Sequence, residues 1–410
     1  MGRKVPLKKT TDEMEGPEEQ NEEQMIEEDD KNLKVWMPGM ALEEDEQLEA
    51  DPSAYLMLHT MNTEWPCLSF DIAADSLGSE RVTFPMSCTV VAGTCADKSS
   101  QNKVLVMEWN SIERTGGYDT DSEPSDEEED EDAMIPEPKI NCQEIPHDGA
   151  VNRLRCTGVF PETTIATFSE KGNVNIFHRS ALIFSSAKKA HKTEGFGLAW
   201  SPTERNLLSG DNNGALCLHE ARESHFTTTT YFMGHTASIE DINWSPAEAS
   251  VFATASADGC VRIYDTRSQN AVLEKQIAQT DINVLSWNKA APNLLASGLE
   301  DGSFVVHDMR NWKDPMVSFS WHKSAITSVE WHPTEASVLA VAGDDDHITL
   351  WDFAAERDEE NPSDVQVPHQ LLFIHAGQTE IREVHWHPQL PGTLVSTAAS
   401  GLNVFKTISI

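Results

Sequence analysis

The chain has 410 residues, 39% of them hydrophobic, and carries 68 acidic against 30 basic side chains, a formal net charge of −38. No apolar run approaches the roughly eighteen residues of a membrane span or forms a secretory leader at the start, and so negative a chain is excluded from binding nucleic-acid phosphate directly. Its seven cysteines are odd in number and include no Cys-x-x-Cys pair, so they read as reduced thiols of the cytosol or nucleus, mostly small core hydrophobes.

In chain order, residues 12–30 hold 11 acids and residues 43–51 hold 6. Such runs cannot recover the entropy of ordering by burial, so residues 1 to about 40 are predicted to be disordered, as are about 113 to 138. The domain division expected is a mostly disordered acidic region over 1–50 and a folded unit over 51–410. Between the acid runs Trp36 is a candidate exposed anchor. The stretch 52–66 has an early Pro52, the apolar Tyr55, Leu56, Leu58 and Met61, and Pro66 at its end; it predicts a short helix feeding a strand over Glu64–Phe70.

From there a pattern recurs. Trp200, Trp244, Trp287 and Trp331 stand 44, 43 and 44 residues apart, each closing a strand that is followed by a second small-residue strand, a turn and a third strand. Residues 231–267 show the unit in full: a Gly-His turn, a strand ending Trp244-Ser245-Pro246, an Asp258-Gly259 turn and a strand ending Tyr264-Asp265. Further copies lie at 147–177, 191–221, 280–310, 322–352 and 375–408, and 82–110 reads as a degenerate first copy. Seven units of this period, made of short strands that cannot bury both faces alone, predict an all-β, seven-bladed WD40 β-propeller. The last copy has no fourth strand, so the strand at 64–70 is expected to complete it and remove an exposed edge.

The beat breaks twice. From Trp331 to Trp386 is 55 residues, and the excess is the insertion 356–370, whose first nine residues hold 5 acids; the first step is stretched by an insertion over 113–138, in which residues 119–132 hold 10. Together the four acidic stretches hold 32 acids against Arg357, a net −31 that leaves about −7 for the scaffold. Long charged insertions on a rigid frame suit the recruitment of a basic partner. The expected rim helix and the loop 356–370 would frame a groove with one apolar and one acidic wall, suited to a basic amphipathic helix.

No chemistry of catalysis is legible: there is no nucleophile elbow, phosphate loop or dinucleotide turn, and no cofactor is expected. His147, His191, His235, His322 and His375 each open a copy and are assigned to hydrogen bonds within their blades, and Asp258, Asp301 and Asp346 to turn and tetrad roles. His385-Trp386-His387 lacks a third ligand at metal spacing, so no metal is predicted.

At four places the chain resembles the histone-binding WD-repeat proteins of the retinoblastoma-binding class. These are the helix before Glu64-Trp65-Pro66, the segment Thr193–Leu198, Glu240-Asp241 before Trp244, and Leu371–His375 after the acidic insertion. The acid runs make it most similar to the glutamate-rich WD-repeat family of ribosome-assembly chaperones, which are also described as binding histones. The resemblance implies a seven-bladed propeller with an N-terminal rim helix and two partner sites. One is the groove between Tyr55, Leu56 and the loop bearing Glu356, Asp358, Glu359, Glu360 and Asp364. The other is the propeller face with Glu194, Phe196, Glu240 and Glu380.

By this resemblance the chain is a non-catalytic, monomeric chaperone of a newly made basic ribosomal protein, of the large-subunit L-three type. It would work in nucleus and nucleolus, and also in cytoplasm. The alternatives are a histone chaperone or chromatin adaptor and, from a different class, a ubiquitin-ligase substrate adaptor. Histone-binding relatives carry acids before the strand in the second and sixth copies, where this chain has Ala150 and Ala325; that departure favours the ribosomal protein.

Overall fold

In the computed structural model, residues 2–6, 34–36, 46–116, 136–178, 183–187, 191–222, 225–268, 270–356 and 367–410 are described. Seven four-stranded antiparallel sheets follow one another, and the chain is a seven-bladed β-propeller. Each second strand is almost wholly buried, whereas outermost strands such as Lys139–Pro146 and Val317–Ser320 are largely or half exposed. Blade four shows the gradient, from Val251–Ser256, buried throughout after its first residue, to Ala271–Gln276, where burial alternates along the strand. A face buried on one side only demands period two, and a strand buried on both does not.

The inner strands are Cys67–Ala73, Val151–Thr157, Gly197–Trp200, Ile239–Trp244, Ile282–Trp287, Ile326–Trp331 and Ile381–Trp386. Adjacent blades share apolar seams: Leu208 and Leu216 of blade three pack with Ile239, Ile242, Trp244 and Phe252 of blade four. The recurring Trp stitches those seams. Indole N–H groups of Trp200, Trp244, Trp331 and Trp386 donate to the backbone carbonyls of Arg155, Ala199, Ser286 and Glu330 in the preceding blade, at 3.0, 3.1, 3.1 and 3.1 Å. Trp287 departs, donating to Pro292 in its own blade at 2.7 Å. The Trp period thus brings a bonded ring to four blade boundaries, two–three, three–four, five–six and six–seven.

Within blades the repeat histidines are buried and bonded. His235 meets Asp258 at 3.0 Å and Thr254 at 2.7 Å, and His322 meets Asp345 at 2.8 Å and Thr349 at 2.9 Å. The sixth-blade partner is therefore Asp345, not the expected Asp346. Asp346 sits at φ 64° and accepts the Glu380 amide. Gly259, at φ 74°, takes the left-handed turn that Asp258 opens.

The closure differs from the sequence expectation. Residues 52–66 do not form a helix: Asp51 caps a single 3-10 turn, Pro52–Ala54, and Tyr55–Met61 is a strand. That strand pairs with Gly401–Thr407 and completes blade seven, while Cys67–Ala73, expected to do so, opens blade one. The sequence Tyr-Leu-Met-Leu-His-Thr-Met is apolar at both helical and alternate spacing. The open edge of Gly401–Thr407 decides between them, as tertiary context overrides local preference. Among the described residues, helix is confined to two 3-10 turns, Pro52–Ala54 and Ser99–Gln101.

The stretches expected to be disordered fall largely outside the described residues. Two described parts of the first are paired: Gly2–Pro6 lies between Lys34–Trp36 and Glu46–Ala50 in a small antiparallel sheet. Trp36 is described in its backbone alone, so the expectation of an exposed anchor there lies outside what the structure describes.

Candidate partner-binding surfaces

The propeller face comes first. Glu194 is half-buried at the entry to blade three and accepts a hydrogen bond from Asn152 Nδ2 at 3.0 Å. Phe196, also half-buried, gives its carbonyl to Arg153 Nε at 2.7 Å. The carbonyl of Glu240 takes Arg153 Nη2 at 3.2 Å, and burial raises the Glu240 carboxyl. Glu380 is exposed, in the left-handed region at φ 53°, and pairs with Arg382 at 2.8 Å. Arg153 therefore ties the Phe196 and Glu240 carbonyls together, and Glu380 stands apart from them, its amide bonded to Asp346 of blade six.

Below that face lies a charged cluster that the sequence reading missed. Glu383, on the inner strand of blade seven, is paired with Arg153 and Arg155 of blade two and accepts the Phe70 amide at 2.9 Å and the Ser69 hydroxyl at 3.0 Å from blade one. Burial works to raise its carboxyl, but Arg155 and Arg153 outweigh that and hold it well below the usual range. His385 stands 3.1 Å from Glu330 and 3.4 Å from Glu383. Burial opposes its charge, yet the two carboxylates carry it up to about 9. Asp71 and Asp241, each bonded to two backbone amides, are raised by burial. Asp71, Asp241, Arg153, Arg155, Glu330 and His385 line a central cavity of about 550 Å³ together with Trp200, Trp244, Trp287 and Trp331. The available signal was a charge at an inward position of an otherwise apolar inner strand, repeated in several blades.

The rim site is rearranged. Tyr55 is fully buried, its hydroxyl 2.7 Å from His375 Nδ1 and its ring edge-on to Phe373 and Phe405. Burial pushes its phenol up and pushes His375 down to about 3. With no exposed surface it cannot wall a groove, and the helix that would have turned it outward is a strand. Leu56 is half-buried and its carbonyl accepts from the Thr115 amide at 3.1 Å. Glu356 is exposed; Asp358, Glu359, Glu360 and Asp364 lie outside the described residues. Gly116, the last described residue before the 119–132 acid run, lies so close to the Pro52 and Tyr55 carbonyls that a Cβ would sit 2.9 and 2.6 Å from them. Leu372, beyond the other insertion, packs on the cluster that holds Ala54 and Tyr55. The two acidic insertions are therefore rooted around one turn, Pro52–Tyr55.

The family model described for the histone-binding protein RBBP4 and its CAF1-complex counterpart matches residues 45–113, and the model for the N-terminal domain of nucleolar protein 10-like proteins matches 192–365. Three relatives align along nearly the whole chain. The ribosome assembly protein rrb1 of Schizosaccharomyces pombe is 40% identical over 91% of this chain and 84% of its own length. The glutamate-rich WD repeat-containing protein 1 of Dictyostelium discoideum is 41% identical over 91% and 85%. The Arabidopsis thaliana protein HEAT STRESS TOLERANT DWD 1 is 36% identical over 92% of each. The chain belongs to the WD-repeat family of ribosome assembly protein rrb1 and the glutamate-rich WD repeat-containing proteins, related to the histone-binding proteins of the RBBP4 type.

Proposed function

We propose that the chain is a non-catalytic chaperone in ribosome assembly that shields a newly made basic ribosomal protein of the large subunit, acting in the nucleus and nucleolus and reaching the cytoplasm. The observation that carries this reading is the rooting of two acid-rich insertions at one turn of a rigid propeller, in a chain that carries only about −7 of its −38 net charge outside the four acidic stretches. Tethered anions raise the encounter rate with a polycation and compete with nucleic acid for it. The name of the rrb1 relative agrees with this role.

Glu356 and the acids at 358, 359, 360 and 364 make the rim contact, and Leu56 belongs to the same site. Glu194, Phe196, Glu240 and Glu380 make the contact on the propeller face. A histone is the second reading, favoured by the match of residues 45–113 to the RBBP4 model; Ala150 and Ala325, which withhold two carboxylates from the face, argue against it. Complexes isolated from cells decide the matter. A stoichiometric large-subunit ribosomal protein is expected, and stoichiometric histones in its absence would overturn the reading.

A further inference from the structure

The inner strand of blade four begins at Ile239, beside Glu240, and ends at Trp244, so the turn that follows it, 245–250, stands at the far end of the blade from Glu240. That turn is held from within: Ser245 Oγ accepts the Ala247 and Glu248 amides at 3.3 and 3.2 Å, and the Ser245 amide donates to the Val251 carbonyl at 2.9 Å. A cleft lies on each side of it. Toward blade five, a cleft of about 560 Å³ is lined by Val251, Ile263, Tyr264 and Val272 of blade four and by Trp287 and Met309 of blade five. This is the boundary at which the indole bonds Pro292 of its own blade, and Val272, at 66%, is the most exposed large apolar side chain among the described residues. Toward blade three, a cleft of about 470 Å³ is lined by the buried Leu218 and Trp244 and by the acids Glu204 and Glu220. Glu248 lines both clefts. The nearby arginines are already committed, Arg222 to Glu220, Arg267 to Asp265 and Arg310 to Asp308. Glu204 and Glu248 are left exposed and, among the described residues, without an ion pair.

We propose that the two clefts form one docking surface whose occupant is an extended segment of a partner protein, with bulky apolar side chains followed closely by lysine or arginine. The apolar side chains enter the cleft beside Val272, and the cations meet Glu248 on the turn and Glu204 beyond it. Charge complementarity selects this occupant. An apolar cleft alone accepts any hydrophobic chain, but the acids that continue from it hold no cation of their own, and an acidic segment laid across them would set like charges together. A turn already fixed by its own hydrogen bonds loses little freedom on binding. An apolar anchor in a cleft with charges beside it is a general mode of peptide recognition. The surface stands apart from the propeller face and the rim contact, and it does not rest on the chaperone reading.

The test is fluorescence anisotropy of a labelled peptide, Gly-Leu-Phe-Gly-Lys-Arg-Lys, titrated with the full chain at about 0.15 M salt, where a screening length of about 8 Å weakens attraction to distant acids. It should bind saturably, and at least about tenfold more tightly than Gly-Ser-Ser-Gly-Lys-Arg-Lys, the effect of burying an apolar side chain. Val272→Asp and Glu248→Lys, both at exposed positions, should each weaken binding by about fivefold or more. Val159→Asp and Glu162→Lys make the same changes at exposed positions in a loop of blade two and should leave it unchanged. Equal binding of the two peptides, or losses in the cleft variants no greater than in the blade-two variants, overturns the proposal, since general attraction to an acidic chain would then account for everything measured. Sedimentation of the chain alone is the second measurement. A monomer is expected, and a concentration-dependent dimer that Val272→Asp abolishes would give the cleft to a second copy and overturn the assignment of the occupant.

Discussion

Glu383 shows how much one residue can decide in this protein. It is almost wholly buried yet charged, and it joins three blades: its own, blade one through Ser69 and Phe70, and blade two through Arg153 and Arg155. Removing one partner from a buried ion cluster leaves the others without compensation, which costs about 3–5 kcal/mol. Glu383→Gln keeps the shape and part of the hydrogen bonding. We therefore expect a loss of about 3 kcal/mol in denaturant unfolding, with the fold retained; a loss below about 1 kcal/mol would mean that the arginines find other partners. His385 gives a pH dependence. Its folded value of about 9 lies above the ordinary 6.5, so its contribution is complete below about pH 6.5 and is lost as pH rises toward 9, by up to about 3 kcal/mol. The buried cysteines Cys67 and Cys88 are raised by burial to about 12, while their unfolded thiols titrate in the upper part of that window, so the measurement is a difference: stability against pH for wild type and His385→Gln. The wild type should fall more steeply between pH 6.5 and 9, and parallel curves would refute the assignment.

Among the elements, the closing strand was the hardest to read and is the most informative to test. Blades three to seven were legible because of local marks that physics imposes on them: a Trp closing the inner strand and a turn residue at positive φ, Gly214, Gly259, Gly302 or Gly401 in four of them and Asp346 in blade six. Tyr55–Met61 carries neither, since its place is fixed by the unpaired edge of Gly401–Thr407 at the far end of the chain. The charged cluster was hidden for the same reason, its members coming from several inner strands. Tyr55→Phe separates a binding role for the ring from a core role. The substitution removes only the hydroxyl bonded to His375, inside the core. It should lower stability by about 1–2 kcal/mol and leave affinity for a basic partner within about twofold; a large affinity loss at unchanged stability would put Tyr55 back in the binding surface. The Trp stitches allow a parallel comparison. Trp244→Phe strands the Ala199 carbonyl of the preceding blade and should cost about 1–3 kcal/mol in unfolding.

For the molecule as a whole, charge and scaffold are divided. The chain outside the acidic stretches nearly balances its charge, and some of it is held in forks such as Arg267 with Asp265 and Arg310 with Asp308, whereas the acidic stretches hold 32 acids against one base. Exposed charges act over roughly 8–10 Å at physiological ionic strength, so their effect falls on the rate of encounter more than on the lifetime of the complex. Replacing the acids of 119–132 by Asn and Gln should therefore slow association with a basic ribosomal protein by at least about tenfold at low salt. It should leave dissociation nearly unchanged, and the difference from wild type should vanish near 1 M salt, where the screening length falls to about 3 Å. Stopped-flow mixing across a salt series measures all three. A variant that dissociates faster at every salt concentration while associating normally would show that these acids make fixed contacts in the complex rather than steering the partner toward it.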